Sequence, residues 1–184
     1  IDDVLENHVA ILIEDSVKNL SWKYDYESNR GQPNKHWHVL CGHDDLDCLE
    51  NGFDWATWIF DIAKKKVGKE LIYERIYCNA HTHGIEPHLH IDDGDFTMIY
   101  YPRMDWQIEW GGGTAVYTES TTIGSTDPSS DVDRYVAYRG NRLLVFDAYL
   151  PHQAMPVARE CHHLRSIIVF KCFLRNGDEA PNKI

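Results

Sequence analysis

No uninterrupted apolar run of about 18 residues occurs in the chain, so no membrane-crossing helix is expected. Cysteine is sparse and unpatterned. Cys41, Cys48, Cys78, Cys161 and Cys172 are odd in number and form no Cys-x-x-Cys pair. That argues against a disulfide framework and predicts free thiols in a reducing, cytoplasmic compartment. Positive charge is also short: 18 Lys and Arg stand against 29 Asp and Glu, for a net charge of −11 with His neutral. Such a balance disfavours nucleic acid, whose phosphates need a basic face. It reads first as a solvated acidic surface, and second as an attraction for a basic substrate. There is no internal repeat, no low-complexity tract and no signal-peptide pattern.

What is present suits one globular domain over 1–184, long enough to bury a core without staples. Six Trp, ten Tyr and six Phe point to a core rich in sheet. Apolar residues at Leu5, Val9, Leu12, Ile13 and Val17 have helical spacing over 4–20. Residues 22–26 alternate like a strand, and 27–35 read as a loop. A second helix is predicted over 45–67, with Phe53, Trp55, Trp58, Ile59, Ile62 and Ala63 on its apolar side. Lys64 to Lys66 suit its C-terminal end and Gly68 stops it. From Glu70 the pattern turns to short β-rich runs: 71–78, 96–101, 114–117, 134–138, 142–146 and 164–173. Residues 118–133 are polar and turn-rich. Helices first and strands after predict a mainly β fold, a helical support over about 1–69 braced against a sandwich or barrel core over about 70–175.

The eleven histidines are clustered, with His81, His83, His88 and His90 inside ten residues. If 88–92 is extended, His88, His90 and Asp92 share a face, because side chains two apart on a strand point the same way. His90-Ile91-Asp92 is therefore the candidate metal-binding pair. Two histidines and one carboxylate on one side of an octahedron make the facial triad of non-haem Fe(II) oxygenases. A second His-x-Asp, at His43 to Asp45, precedes a helix and reads as a cap by Asp44 or Asp45. The third ligand must come from far along the chain. His152 follows the apolar run 142–146 beside Pro151, and Arg165 opens the β run that comes next. A buried guanidinium is costly without a carboxylate, and a dicarboxylic co-substrate would supply one.

At these residues the chain resembles the 2-oxoglutarate/Fe(II) dioxygenases, the prolyl 4-hydroxylase branch above all. The resemblance lies in His90-Ile-Asp-Asp-Gly-Asp-Phe-Thr-Met-Ile-Tyr-Tyr101, in Trp106, Trp110 and Gly111-Gly-Gly-Thr114, and in 141–152 and 164–171. It implies a double-stranded β-helix, or jelly-roll, with flanking helices. It implies iron on His90, Asp92 and His152, and 2-oxoglutarate held at its far carboxylate by Arg165 with help from Tyr101. Arg165 lies thirteen residues beyond His152 where many relatives show nine or ten, so Arg159 is a rival. It further implies O2 as co-substrate, ascorbate as a candidate auxiliary, and hydroxylation of a peptidyl residue such as proline, or of a small molecule, with release of succinate and CO2.

Two other readings stand beside it. His88-Leu-His90 also suits a cupin-type metal protein that does not use 2-oxoglutarate, although Gly94 and Asp95 occupy the positions where such proteins usually add Glu. A non-enzymatic jelly-roll binding module is the third, and it leaves Arg165 without a purpose. Trp106 and Trp110 are expected to pack under a loop rather than to line a groove.

Overall fold

The computed structural model describes residues 1–27, 34–117 and 132–175. Residues 28–33 of the predicted loop at 27–35 and nearly all of the polar segment 118–133 therefore fall outside the described residues. The helices are α1 (Asn7–Lys18), α2 (Asp45–Glu50) and α3 (Asp54–Val67). The strands are β1 (Lys23–Tyr26), β2 (His36–Gly42), β3 (Leu71–His81), β4 (Phe96–Tyr101), β5 (Thr114–Tyr117), β6 (Val132–Val136), β7 (Arg142–Asp147), β8 (His152–Ala154) and β9 (Arg165–Leu174). All described pairings are antiparallel. They give a six-stranded sheet in the order β1-β2-β3-β9-β4-β7 and a three-stranded sheet in the order β6-β5-β8. The fold is mainly β with few helices, a jelly-roll of two sheets.

The six-stranded sheet has two unlike faces because side chains alternate along each strand. Met98 and Tyr100 of β4, and Ile168, Phe170 and Cys172 of β9, point to the helices. There they join Ala10, Ile13 and Val17 of α1 and Ala56, Ile59, Phe60 and Ala63 of α3 in the main core. The alternate residues Ile99, Tyr101, Ile167 and Val169 face inward and form a smaller cluster with Val116 of β5 and Phe146 of β7. Each fully buried Ile or Phe contributes on the order of 1.5–3 kcal/mol of transfer free energy.

Four local readings are corrected. The helix expected over 45–67 is two helices, α2 and α3, because Asn51-Gly52 turns the chain, with Gly52 at φ 78°. Trp58 lies on the outside of α3, 58% exposed. On α1 the buried stripe is Ala10, Ile13, Glu14 and Val17, while Leu12 is exposed. Glu14 can sit inside because it pairs with Lys18 at 2.9 Å and accepts a hydrogen bond from the Met104 backbone N–H. Finally, the segment 1–69, expected to be helical support apart from a strand over 22–26, contributes not only that strand, β1, but also β2 to the large sheet. β2 escapes pattern reading because His36, Trp37 and His38 break the apolar alternation. Elsewhere the local chemistry behaves as expected: Asp44 caps α2 by accepting from Asp47 N–H at 2.8 Å, and Gly68 closes α3 in the left-handed conformation.

Candidate active site

His90, Asp92 and His152 come together, each offering a ligand atom within 4.8 Å of the others. They arrive differently from expectation. His90 and Asp92 do not lie on a regular strand; they sit in an extended segment tied down by its neighbours. His90 and His152 pair backbone to backbone, N–H to carbonyl in both directions, at 3.0 and 2.8 Å, and Asp92 N–H donates to the Ala148 carbonyl at 2.8 Å. His152 does not trail a strand end but opens the short strand β8, which pairs with β5.

The ring geometry suits metal binding. Nδ1 of His90 lies 2.9 Å from the His88 carbonyl, and Nδ1 of His152 lies 3.0 Å from the Leu150 carbonyl. A carbonyl only accepts, so each Nδ1 carries the proton and each Nε2 presents a lone pair. Those Nε2 atoms lie 3.6 and 3.4 Å from the two oxygens of Asp92. Burial and the neighbouring His152 push the His90 imidazole down to about 4, so it is neutral at physiological pH. Burial works against ionisation of Asp92, yet the neighbouring His152 side chain and the Lys171 ammonium outweigh it and hold the carboxyl far below the usual range. Two imidazoles that present Nε2 and one carboxylate are the donor set of a facial-triad iron site, so the residues present fit such an ion.

Two further side chains grip Asp92. Thr97 Oγ1 donates to Oδ2 at 2.7 Å, and the ammonium of Lys171 pairs with Oδ1. Both were absent from the sequence reading. The signal for Lys171 was available: Arg165, Ile167, Val169 and Lys171 alternate along β9, so an inward Arg165 carries Lys171 onto the same face.

Arg165 is fully buried at 0% exposure and lines the cavity, whereas its rival Arg159 is exposed and does not. Its Nε donates to the Gly112 carbonyl, and one terminal nitrogen reaches the Gly113 carbonyl at 3.4 Å and Thr114 Oγ1 at 3.3 Å. The other terminal nitrogen, Nη1, is buried without a partner, and no described carboxylate pairs with this guanidinium. Gly112 is required here: its φ is +71°, and a Cβ would meet the Arg165 side chain at 3.2 Å. Tyr101 is fully buried and its hydroxyl donates to the same Thr114 Oγ1 at 2.7 Å. Arg165 and Tyr101 are thus linked through Thr114, a residue the sequence reading left out.

The triad, Arg165 and Lys171 line one cavity of about 260 Å³, walled by β2, β3, β4 and β9 on one side and by β5, β8 and the 85–93 segment on the other. His88 lines it but stands outside the metal-binding group; its carbonyl orients His90 instead. Trp106 stacks on Tyr138 at 4.5 Å and bonds the Gly111 carbonyl, consistent with packing under a loop. All five cysteines are free. No described helix is long and apolar enough to cross a membrane.

The fold is that of the jelly-roll 2-oxoglutarate/Fe(II) oxygenases, among them prolyl hydroxylases. No family model matches the sequence, and no curated protein matches it. Solved structures do. A prolyl hydroxylase from Trichoplax adhaerens, in complex with a hypoxia inducible factor oxygen degradation domain peptide fragment, superposes with a TM-score of 0.58 at 14% identity, over 92% of this chain and 80% of that one. A prolyl-4-hydroxylase from Pseudomonas putida gives 0.58 at 13% identity, over 95% and 91%. HygX from Streptomyces hygroscopicus, with nickel and 2-oxoglutarate bound, gives 0.62 at 12% identity, over 92% and 80%. At such identity the likeness is one of fold.

Proposed function

We propose that this chain is a 2-oxoglutarate- and O2-dependent Fe(II) hydroxylase that releases succinate and CO2. The observation that carries it is the meeting, in one cavity, of a His90–Asp92–His152 cluster with a buried guanidinium, Arg165, that lacks a counter-ion. A metal alone would explain the first group but not the second. A dicarboxylic co-substrate explains both, because it can chelate the metal at one end and pair with Arg165 at the other.

Iron, when bound, supplies the activation of O2 that is coupled to decarboxylation of the co-substrate. The chain does the rest. His90, Asp92 and His152 hold the ion, with the histidines fixed in the Nε2-presenting tautomer by the carbonyls of His88 and Leu150. Thr97 and Lys171 orient Asp92. Arg165, with Tyr101 and Thr114 behind it, fixes the far carboxylate. Ile99, Ile167 and Val169 line the stretch between and keep water out.

The substrate favoured by resemblance is a peptidyl residue such as proline, and two prolyl hydroxylases among the structural neighbours support that choice. A small molecule is the second candidate, since HygX has been solved with hygromycin B bound. Free thiols support a reducing, cytoplasmic setting. Ascorbate, as an auxiliary reductant, is testable by its effect on turnover number. The test of the core reading is anaerobic: Fe(II) plus 2-oxoglutarate should give a weak visible charge-transfer band, absent in Asp92→Ala. Peptide candidates should then gain 16 Da in step with succinate.

A further inference from the structure

We infer that His81 is a second anchor for the far carboxylate of 2-oxoglutarate, standing beside Arg165 on the adjoining strand. The inference rests on the co-substrate reading above and adds a residue to it.

Antiparallel pairing of β3 with β9 sets His81 directly opposite Arg165, and both residues line the cavity. His81 is 6% exposed and Arg165 0%. Each has a buried nitrogen with no hydrogen-bond partner: Nδ1 of His81 and Nη1 of Arg165. Buried polar groups in folded proteins nearly always find partners. Two unpartnered nitrogens on cross-strand neighbours therefore mark a place where an acceptor is expected from outside the chain. A carboxylate has two oxygens and can serve both at once. The remaining donors of the guanidinium are already taken by Gly112, Gly113 and Thr114, so Nη1 is the one left without a partner.

Charge fits the same arrangement. Burial and the adjacent Arg165 cation keep the His81 imidazole neutral, and His36, whose ring stands edge-on 5.2 Å away, is also held neutral by burial. With Nδ1 protonated, His81 gives this end of the cavity an uncharged N–H donor beside the Arg165 cation rather than a second cation. That avoids a second buried charge while still adding a directed hydrogen bond. The expected ligand is a carboxylate in both its possible sources, co-substrate tail or substrate acid, and the test separates them.

Binding is followed by the anaerobic Fe(II) charge-transfer band, titrated with 2-oxoglutarate and with pyruvate, a 2-oxo acid that lacks the far carboxylate. His81→Phe keeps a ring of similar size without the donor. It should weaken 2-oxoglutarate by about tenfold or more, the usual cost of a lost hydrogen bond to a charged group, and leave pyruvate and Fe(II) affinity unchanged. His81→Gln should recover most of the loss. In the Zn(II)-substituted wild-type protein, the His81 ring nitrogen resonance should move with 2-oxoglutarate and stay put with pyruvate, which tests the contact without any substitution. Unaltered 2-oxoglutarate binding in His81→Phe, an equal loss for pyruvate, or a still resonance would overturn the His81 anchor alone. A resonance that responds only to the primary substrate would assign the carboxylate to that source and likewise overturn it. A wild-type protein that gives no band with 2-oxoglutarate would instead overturn the co-substrate reading.

Discussion

The two ends of the cavity handle buried charge in opposite ways. At one end Asp92 is ionised and fully served by the chain: Lys171 pairs with it, Thr97 donates to it, and two imidazoles flank it. At the other end Arg165 is charged, fully buried and held only by neutral oxygens, with Nη1 unserved. A paired charge stabilises through its partner; an unpaired one is a standing cost that a ligand can relieve. The carboxylate end is therefore organised before any ligand arrives, and the guanidinium end is completed by one.

Removing Asp92 should be the harshest way to break this contrast. In Asp92→Ala the ammonium of Lys171 is left buried and alone, so metal-free stability should fall by about 3–5 kcal/mol, measured by urea unfolding. Fe(II) binding should disappear with it. The double change Asp92→Ala with Lys171→Met should restore most of that stability and none of the metal binding.

Acid should act next. His90 and His36 both have folded-state values near 4, below the ordinary 6.5, because burial disfavours their charged forms. The unfolded chain therefore binds more protons between those limits. Stability is unaffected above about pH 6.5 and falls as pH drops toward 4, by up to about 3 kcal/mol per imidazole before solvent relaxation is counted. Thermal melts across pH 4–7 measure this. Fe(II) affinity of the folded protein should decline only as pH approaches 4, where His90 itself takes up a proton, since ligation needs neutral imidazole.

At the other end the expected loss of stability is smaller. Arg165→Met discards a costly unpaired cation together with its hydrogen bonds, so metal-free stability should change by only about 1–2 kcal/mol. The stabilisation that added 2-oxoglutarate gives the Fe(II) protein, read as a rise in Tm, should vanish. A stability loss as large as that of Asp92→Ala would erase the distinction between the two ends. The mildest change is Tyr101→Phe, which removes one buried hydroxyl that donates to Thr114. About 1 kcal/mol of stability and a several-fold rise in the 2-oxoglutarate KM are expected, with kcat nearly unchanged.

Much of the β half was readable from residues alone. β4 and β5 have the boundaries that alternation and flanking glycines suggest, and β9 is displaced by one residue. The candidate ligand pair His90 and Asp92 stood out because the residue types and their spacing suit that chemistry. Less local features did not. Leu12 and Trp58 look like core by spacing, yet exposure is decided by which arc of the helix meets the sheet. β2, with two histidines and a tryptophan, reads as a strand only once β3 lies beside it.

The sequence by itself determined the ligand types, the inward alternation that sets Arg165 and Lys171 on one face of β9, and the glycine that a positive φ at 112 demands. These are properties of neighbours along the chain, governed by local sterics and by the period of a strand. Only the tertiary structure decided that His152 meets His90 across a two-way backbone bridge, that Lys171 closes on Asp92, and that His81 faces Arg165. Each of those pairs joins segments distant in sequence. Their meeting depends on strand order and register, which are set by burial of the whole sheet and not by any short stretch of it.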